Sequence, residues 1–405
     1  MTKPWERAPL DEAVFLQEGP GIRSYEYQKG GYPMINVRCV QDGYIDLSTC
    51  NAANVELATG KWKHFQVKEG DILFTISGSI GRTAIVKKED LPLLMNTSVV
   101  RFRSKTPRLR DDFFFYSLQS EDFLGKLHAL SSGTAQKNVG PTHLKTLDVP
   151  LPLLPEQQRI VGLLDEAFAG LATAKANAEK NLQNARALFE SHLQSVFAQR
   201  GKGWVETTLE KVLAVQPQNG WSPPAANHSD SGTPVLTLSS VTGFRFRPDK
   251  LKFTSASTDS RRNYWVKNGD FLITRSNTPD LVGHVAIASG IHKPTIYPDL
   301  IMRMNPLPDR MMTEFLYYQM RSPALRKEIM GRAQGANPTM KKISNGAVKT
   351  LPIAVPPIAT QRSIVKTLNG LTEETQRLAS LYERKLAALE ALKKSLLHQA
   401  FTGEL

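Results

Sequence analysis

At 405 residues the chain is long enough for two or more domains with sizeable cores, and its 41% hydrophobic content is that of an ordinary soluble protein. Lys and Arg total 51 against 38 acidic residues, a net charge of +13 that favours an anionic partner, nucleic acid ahead of a membrane surface. The opening MTKPWERAPLDEAVF has no apolar core of signal-peptide length, and nowhere do about 18 apolar residues run together, so a cytoplasmic protein with no membrane contact is expected.

In chain order, Trp5 and Leu10 introduce a segment whose alternation at residues 34–40 (MINVRCV) predicts a strand. Cys39 and Cys50 are expected to be reduced structural thiols, and the eight histidines show none of the common zinc spacings. Residues 70–76 (GDILFTI) predict a strand opened by a Gly-Asp turn, and residues 82–86 (RTAIV) a further one. Residues 111–130 (DDFFFYSLQSEDFLGKLHAL) have helical spacing, with Asp111 and Asp112 read as capping carboxylates and the aromatic row as core. A small polar loop with Lys, Gln and Asn follows at residues 131–152, a composition able to approach a phosphate or a base edge.

Beyond the proline-rich break PLPLLP, apolar or small residues fall at 160, 164, 167, 171, 174, 178, 182, 185, 189 and 193, one stripe on one helix. A helix of roughly 40 residues is about 60 Å long, and a single stripe of that length needs a partner. The rest of the chain supplies it, because the globular segment and the long helix both recur. Trp204 and Leu209 answer Trp5 and Leu10, VKNGDFLIT answers VKEGDILFT, and residues 284–288 (HVAIA) answer RTAIV. Residues 313–330 again show helical spacing, followed by a polar loop at residues 335–356. Laying Gln157 on Gln361 then superposes Ile160 on Ile364, Leu164 on Leu368, Leu182 on Leu386 and Phe197 on Phe401 without a gap. The second stripe is Ile364, Leu368, Leu371, Leu378, Tyr382, Leu386, Leu389, Leu392 and Leu396.

The chain is therefore a tandem repeat of a globular segment and a long helix. The expected fold class is α+β: two mixed α/β globular domains joined by two long antiparallel helices that form a coiled coil, with pseudo-twofold repetition. Expected boundaries are residues 1–150 for the first globular domain, 151–200 for the central helix, 201–352 for the second domain and 353–405 for the C-terminal helix. The helix-pair seam is assigned to Ile160, Leu164, Leu171, Leu182, Ile364, Leu368, Leu371, Leu378, Leu386 and Leu389.

Reacting constellations are not found in the sequence. There is no GxxxxGK[ST] phosphate loop, no NPPY or DPPY stretch of an amino-methyltransferase, and the SGSIG glycines at residues 77–81 do not make GxGxxG. No catalytic, metal-binding or cofactor-binding residue is assigned.

The order of globular domain, PLPLLPEQQRIVGLLDEAF helix, globular domain and QRSIVKTLNGL helix ending in HQAFTGEL resembles the DNA-sequence specificity subunit of type I restriction-modification enzymes. The resemblance covers essentially the whole chain, and GTAQKN (133–138), GSIG (78–81) and PEQQRIV (155–161) are its specific signatures. Two departures stand out: Thr360 and Asn369 replace the first copy's Glu156 and Asp165, and GANPTMKK replaces GTAQKN. The resemblance implies a non-catalytic subunit of a restriction system in host defence. Each globular copy is then a target recognition domain reading one half of a split double-stranded DNA site, while the paired helices set the gap and dock two methyltransferase subunits. Two restriction subunits would complete the complex. No cofactor is expected in this chain, with S-adenosylmethionine, ATP and magnesium on the partners, which carry out DNA methylation and cleavage.

Within that reading the candidate DNA contacts are Arg38, Ser79, Arg82, Gln136, Lys137 and Asn138 in the first copy, and Arg275, Asn277, Asn337 and Lys341 in the second. Cationic side chains suit phosphate, and Gln or Asn can pair with adenine. The alternatives are a stand-alone nuclease with an unfamiliar site and a scaffold that uses its helices only to bind proteins.

Overall fold

A computed structural model describes residues 5–130, 139–337 and 339–405. Two compact units are present, Met1–Glu179 together with Glu383–Leu405, and Lys180–Tyr382. Among the described residues no helix is long and apolar enough to cross a membrane.

The first unit is built on an antiparallel sheet in the order Val14–Glu18, Val99–Ser104, Ile72–Thr75, Thr83–Ile85. Its middle strand Ile72–Thr75 is buried on both faces. One face packs on the aromatic helix Asp111–Ser117, whose Phe113 and Phe114 are fully buried, and the other on Ile35, Cys39 and Met95. The Gly-Asp turn that opens this strand has a chemical purpose. Asp71 is buried, accepts from the Lys68 N–H at 2.8 Å, and holds Arg103 at 2.8 Å, so the carboxylate closes the turn and anchors the neighbouring strand.

Local polar chemistry overrides alternation in one place. The strand predicted across residues 34–40 stops at Met34, because the Asn36 carboxamide accepts the Arg38 N–H at 2.8 Å and its carbonyl accepts the Cys39 N–H at 3.0 Å, folding the chain into a turn. Asp111 likewise departs from expectation. It does not cap its own helix but accepts from Ser104 N–H and hydroxyl at 2.8 and 2.7 Å, tying the helix start to the end of a strand.

The second unit repeats the sheet order with Leu213–Asn219, Ile301–Pro306, Phe271–Thr274 and Val285–Ile287. Here Asp270 closes the equivalent turn through Lys267 N–H at 2.7 Å and binds Asn305 at 2.8 Å. Strand Thr233–Leu236 also ends early, as Thr237 and Ser240 cap a short turn. Each helical segment of the sequence is two helices in the structure, Asp111–Ser117 and Glu121–Leu130 in one unit, Thr313–Arg321 and Pro323–Arg332 in the other.

The two long helices are Leu154–Ala198 and Ile358–Thr402, each of 45 residues. In the first unit they run antiparallel. Arg159 donates to the Leu405 carbonyl at 2.8 Å and Lys175 pairs with Glu390 at 2.8 Å, so numbers rise on one helix as they fall on the other. Ile160, Val161 and Leu164 share a core with Leu397 and Ala400. In the second unit Phe189, Leu193 and Phe197 of the first helix share a core with Val365 and Leu368 of the second. Leu171, Leu182, Ile364, Leu371, Leu378, Leu386 and Leu389 are half-buried, whereas Leu392, on the expected stripe, is exposed, and Leu397 and Ala400 are buried instead.

What joins each helix to its globular part is a buried glutamine. Gln157 donates to the carbonyls of Arg108 at 2.7 Å and Pro152 at 2.8 Å and accepts the Arg110 N–H at 2.9 Å. Gln361 makes the same three bonds, to Arg310 at 2.8 Å, Pro356 at 2.9 Å and Met312 N–H at 2.8 Å. About two turns further on, Tyr116 donates to Asp165 at 2.5 Å and Tyr318 to Asn369 at 2.6 Å, so the Asp-to-Asn departure keeps its contact because both side chains offer an oxygen.

Replacing Gln157 with Ala strands two carbonyls and one N–H in a buried joint, a cost of roughly 3 kcal/mol or more. Hydrogen exchange is expected to accelerate around residues 108–112 and 152–160 in that variant, while residues 310–314 and 356–364 keep wild-type protection.

Candidate nucleic-acid interface

In each unit four connections meet at one end of the sheet, and a buried threonine organises them. In the first unit Thr75 ends its strand with its hydroxyl donating to the Ser79 carbonyl at 2.5 Å and accepting from the Arg82 N–H at 3.0 Å. Gly81 has φ +95° and a Cβ there would meet Leu124 at 2.8 Å, so the turn requires glycine. Ser79 is thereby exposed at the tip and Arg82 half-buried at its base. Gly19 N–H reaches Val99 O at 3.4 Å, Ile76 N–H reaches Ser98 O at 3.0 Å, and Val139 N–H reaches Ile76 O at 2.9 Å, bringing the other connections to the same end. The candidates Gln136, Lys137 and Asn138 lie outside the described residues. Arg38 is exposed on the Asn36 turn; further along that loop Gly43 N–H bonds Thr83 O at 2.8 Å, beside Arg82.

The second unit has the same scheme. The Thr274 hydroxyl donates to Leu281 O at 2.9 Å and accepts His284 N–H at 3.0 Å, and Ile343 N–H reaches Arg275 O at 2.9 Å. A two-stranded ribbon pairs Ser276 with Lys342 and Asn277 with Lys341, so Arg275, Asn277 and Lys341 are brought together. Lys341 Nζ bonds Gly335 O at 2.8 Å, and the Asn337 oxygen accepts from Thr339 N–H and hydroxyl, each at 2.8 Å. Asn277 is partly engaged, accepting Thr278 N–H at 2.9 Å and reaching Thr242 at 3.4 Å. Arg275 Nε is buried and has no hydrogen-bond partner among the described residues, although Arg275 as a whole is only half-buried.

The place held by Arg82 in the first unit is held in the second by His284, which the sequence pattern did not single out. Its Nδ1 accepts the Gly243 N–H at 2.9 Å and its ring stacks on Phe244 at 4.0 Å. Phe244 has φ +56° and lies under Arg321 and Arg326, at 5.2 and 5.6 Å from its ring centre, with Tyr317 donating to its carbonyl at 2.6 Å. Burial, and then the charges of Arg326 and Arg321, push His284 down to about 4. These partners are far apart in sequence, and among the described residues Arg82 has no such aromatic–arginine stack around it.

A family model described as "Type I restriction modification DNA specificity domain" matches residues 2–182 and again residues 201–383. The chain belongs to this family. It is 24% identical to the "Type I restriction enzyme EcoKI specificity subunit" of Escherichia coli (strain K12), an alignment covering 99% of this chain and 89% of that protein. Identity is also 24% to the "Putative type I restriction enzyme MjaX specificity subunit" of Methanocaldococcus jannaschii, over 99% of this chain and 93% of that one. A solved structure described as "Structural basis underlying complex assembly and conformational transition of the type I R-M system" superposes with a TM-score of 0.76 at 19% identity, over 99% of this chain and 98% of the other. The HsdS subunit from Thermoanaerobacter tengcongensis gives a TM-score of 0.57 at 18% identity, over 100% and 98%. The solved structures support the fold, and the family model places one type I specificity domain in each half of the chain. A stand-alone nuclease finds no support in any of these relatives.

With a folded-state value about 4 against an ordinary value near 6.5, His284 resists protonation that the unfolded chain accepts. Its contribution is complete above pH 6.5 and is lost as pH falls toward 4, up to ~3 kcal/mol. Denaturant titrations across that window are expected to show stability falling with pH, with a shallower fall in His284→Gln.

Proposed function

We propose that this chain is the DNA-sequence specificity subunit of a type I restriction-modification enzyme, in which each unit presents its sheet end to one half of a bipartite site. The observation that carries this reading is the duplication itself: the specificity family matches both halves, and each half builds the same threonine-centred sheet end with different side chains on its loops. A common scaffold with variable tips is what reading two unlike half-sites requires.

In this reading the subunit contributes recognition and no chemistry. Two modification subunits docked on the long helices supply S-adenosylmethionine and transfer methyl groups to adenine, and two restriction subunits supply ATP- and magnesium-dependent translocation and cleavage, all in the cytoplasm. The helices set the number of unread bases between half-sites, as dimer geometry sets half-site spacing in other DNA readers. The ten candidate residues divide by chemistry: Arg38, Arg82, Lys137, Arg275 and Lys341 toward phosphate or guanine, and Ser79, Gln136, Asn138, Asn277 and Asn337 toward base edges. The domain boundaries follow the same division, with residues 1–150 and 201–352 as recognition domains and residues 151–200 and 353–405 as spacers.

The net charge of +13 supports strong salt dependence. Fluorescence anisotropy on the reconstituted modification complex tests the assignment. Changing Arg275 and Asn277 together to Ala is expected to cost about ten- to a hundredfold in discrimination at one half-site and leave the other unchanged. Equal weakening on every DNA, with discrimination intact, would mean these side chains hold phosphate and read no base.

A further inference from the structure

The turn after Met34 is braced differently in the two units, and the difference is chemical. In the second unit Ser240 is fully buried, accepts the Thr237 N–H at 3.0 Å and donates across the loop to the Lys250 carbonyl at 2.6 Å. In the first unit the same place is held by Cys39, fully buried, whose sulfur accepts the Asn36 N–H at 3.3 Å. Across the loop lies Cys50, half-buried at the end of a short turn and packed against the same cluster as Cys39. The loop between them is closed by backbone and side-chain bonds: Asp46 N–H to Cys39 O at 2.7 Å, and Asn36 Nδ2 to Thr49 O at 3.0 Å. Two free thiols thus span a loop that its counterpart spans with a serine hydroxyl.

We propose that Cys39 and Cys50 are a reversible oxidation site, closed to a disulfide by hydrogen peroxide, and that only the first unit carries such a site. The assignment is independent of what DNA the chain reads. Both thiols lie in one packed cluster at the two ends of a closed loop, so side-chain rotation is the movement that brings them toward the roughly 2.05 Å of an S–S bond. The Cys39 thiol is pulled down to about 6, first by Cys50 and then by the Asn36 N–H, with burial opposing, while Cys39 and burial push the Cys50 thiol up.

Access decides the order of events. Cys39 is buried and Cys50 half-buried, so peroxide meets Cys50 first, with the Cys39 thiolate beside it as the base. As the Cys50 sulfur attacks one peroxide oxygen its proton passes to the Cys39 thiolate, the O–O bond breaks, and the departing hydroxide takes a proton from solvent to become water, leaving Cys50 as sulfenic acid. The Cys39 sulfur then attacks the Cys50 sulfur and expels hydroxide, which leaves as water with the thiol proton. Two thiols and one peroxide give one disulfide and two waters. Arg38 immediately precedes Cys39, so the bridge fixes the turn that carries a candidate DNA contact of the first unit.

The test is peptide mass mapping of the full chain after peroxide, with iodoacetamide and dimedone to mark thiols and sulfenic acid. The expected result is loss of both alkylatable thiols and a Cys39–Cys50 cross-linked peptide that dithiothreitol restores. Cys39→Ser, which installs the residue the second unit uses at this place, is expected to yield a dimedone adduct at Cys50, because nothing resolves the sulfenic acid. A wild-type chain that gives the Cys50 adduct with Cys39 still alkylatable, or keeps both thiols through the treatment, overturns the proposal. The wild-type map decides the matter even if the variant fails to fold.

Discussion

The structure depends on a joint that would otherwise be full of unmatched backbone. The break before each long helix is rich in proline, which provides carbonyls and no N–H, and the chain there is packed against a loop whose own carbonyl faces inward. Gln157 and Gln361 resolve this with one side chain each, two N–H groups to two carbonyls and one oxygen to an N–H, all within 2.7 to 2.9 Å. A carboxylate could not donate, and a shorter amide could not span. Because the bonds run to a segment nearly 50 residues earlier, they fix the direction in which each helix leaves its globular part as well as its stability.

From that joint outward the two units separate into what is held and what varies. Held are the four-strand order, the buried aspartate of the Gly-Asp turn, the tyrosine bonded to the helix, and the threonine at the sheet end. Varied are the tips: Arg82 against a buried His284 that stacks on Phe244 beneath two arginines, and a thiol pair against a serine. Membership of the type I specificity family gives this contrast a use, since a reader of two unlike half-sites needs one scaffold and two sets of tips.

Much of this was legible in the sequence. The period of the apolar stripe identified both long helices, because positions three and four apart must share a face, and the GDILFT and GDFLIT strands declared themselves through a turn followed by continuous burial. What the pattern missed was decided by polar groups acting over a few residues or over many. Asn36 and Thr237 bend chains whose alternation reads as strand, and Asp111 serves a distant strand end. Leu392 is exposed because the covered face runs through Leu386, Leu389, Lys393, Leu396 and Ala400, seven residues apart in two rows, and passes beside it. Of the candidate contacts, Arg275, Asn277 and Lys341 are gathered on one ribbon, a pairing no local pattern reveals. The identity of Gln157 and Gln361 was visible, but their partners were not.

Long-read sequencing of methylated adenines in cells carrying the assembled complex tests the central claim most directly. Two unlike recognition units in one chain predict a single motif made of two different short sequences separated by a fixed run of unread bases. A continuous motif, or two identical halves, would contradict it.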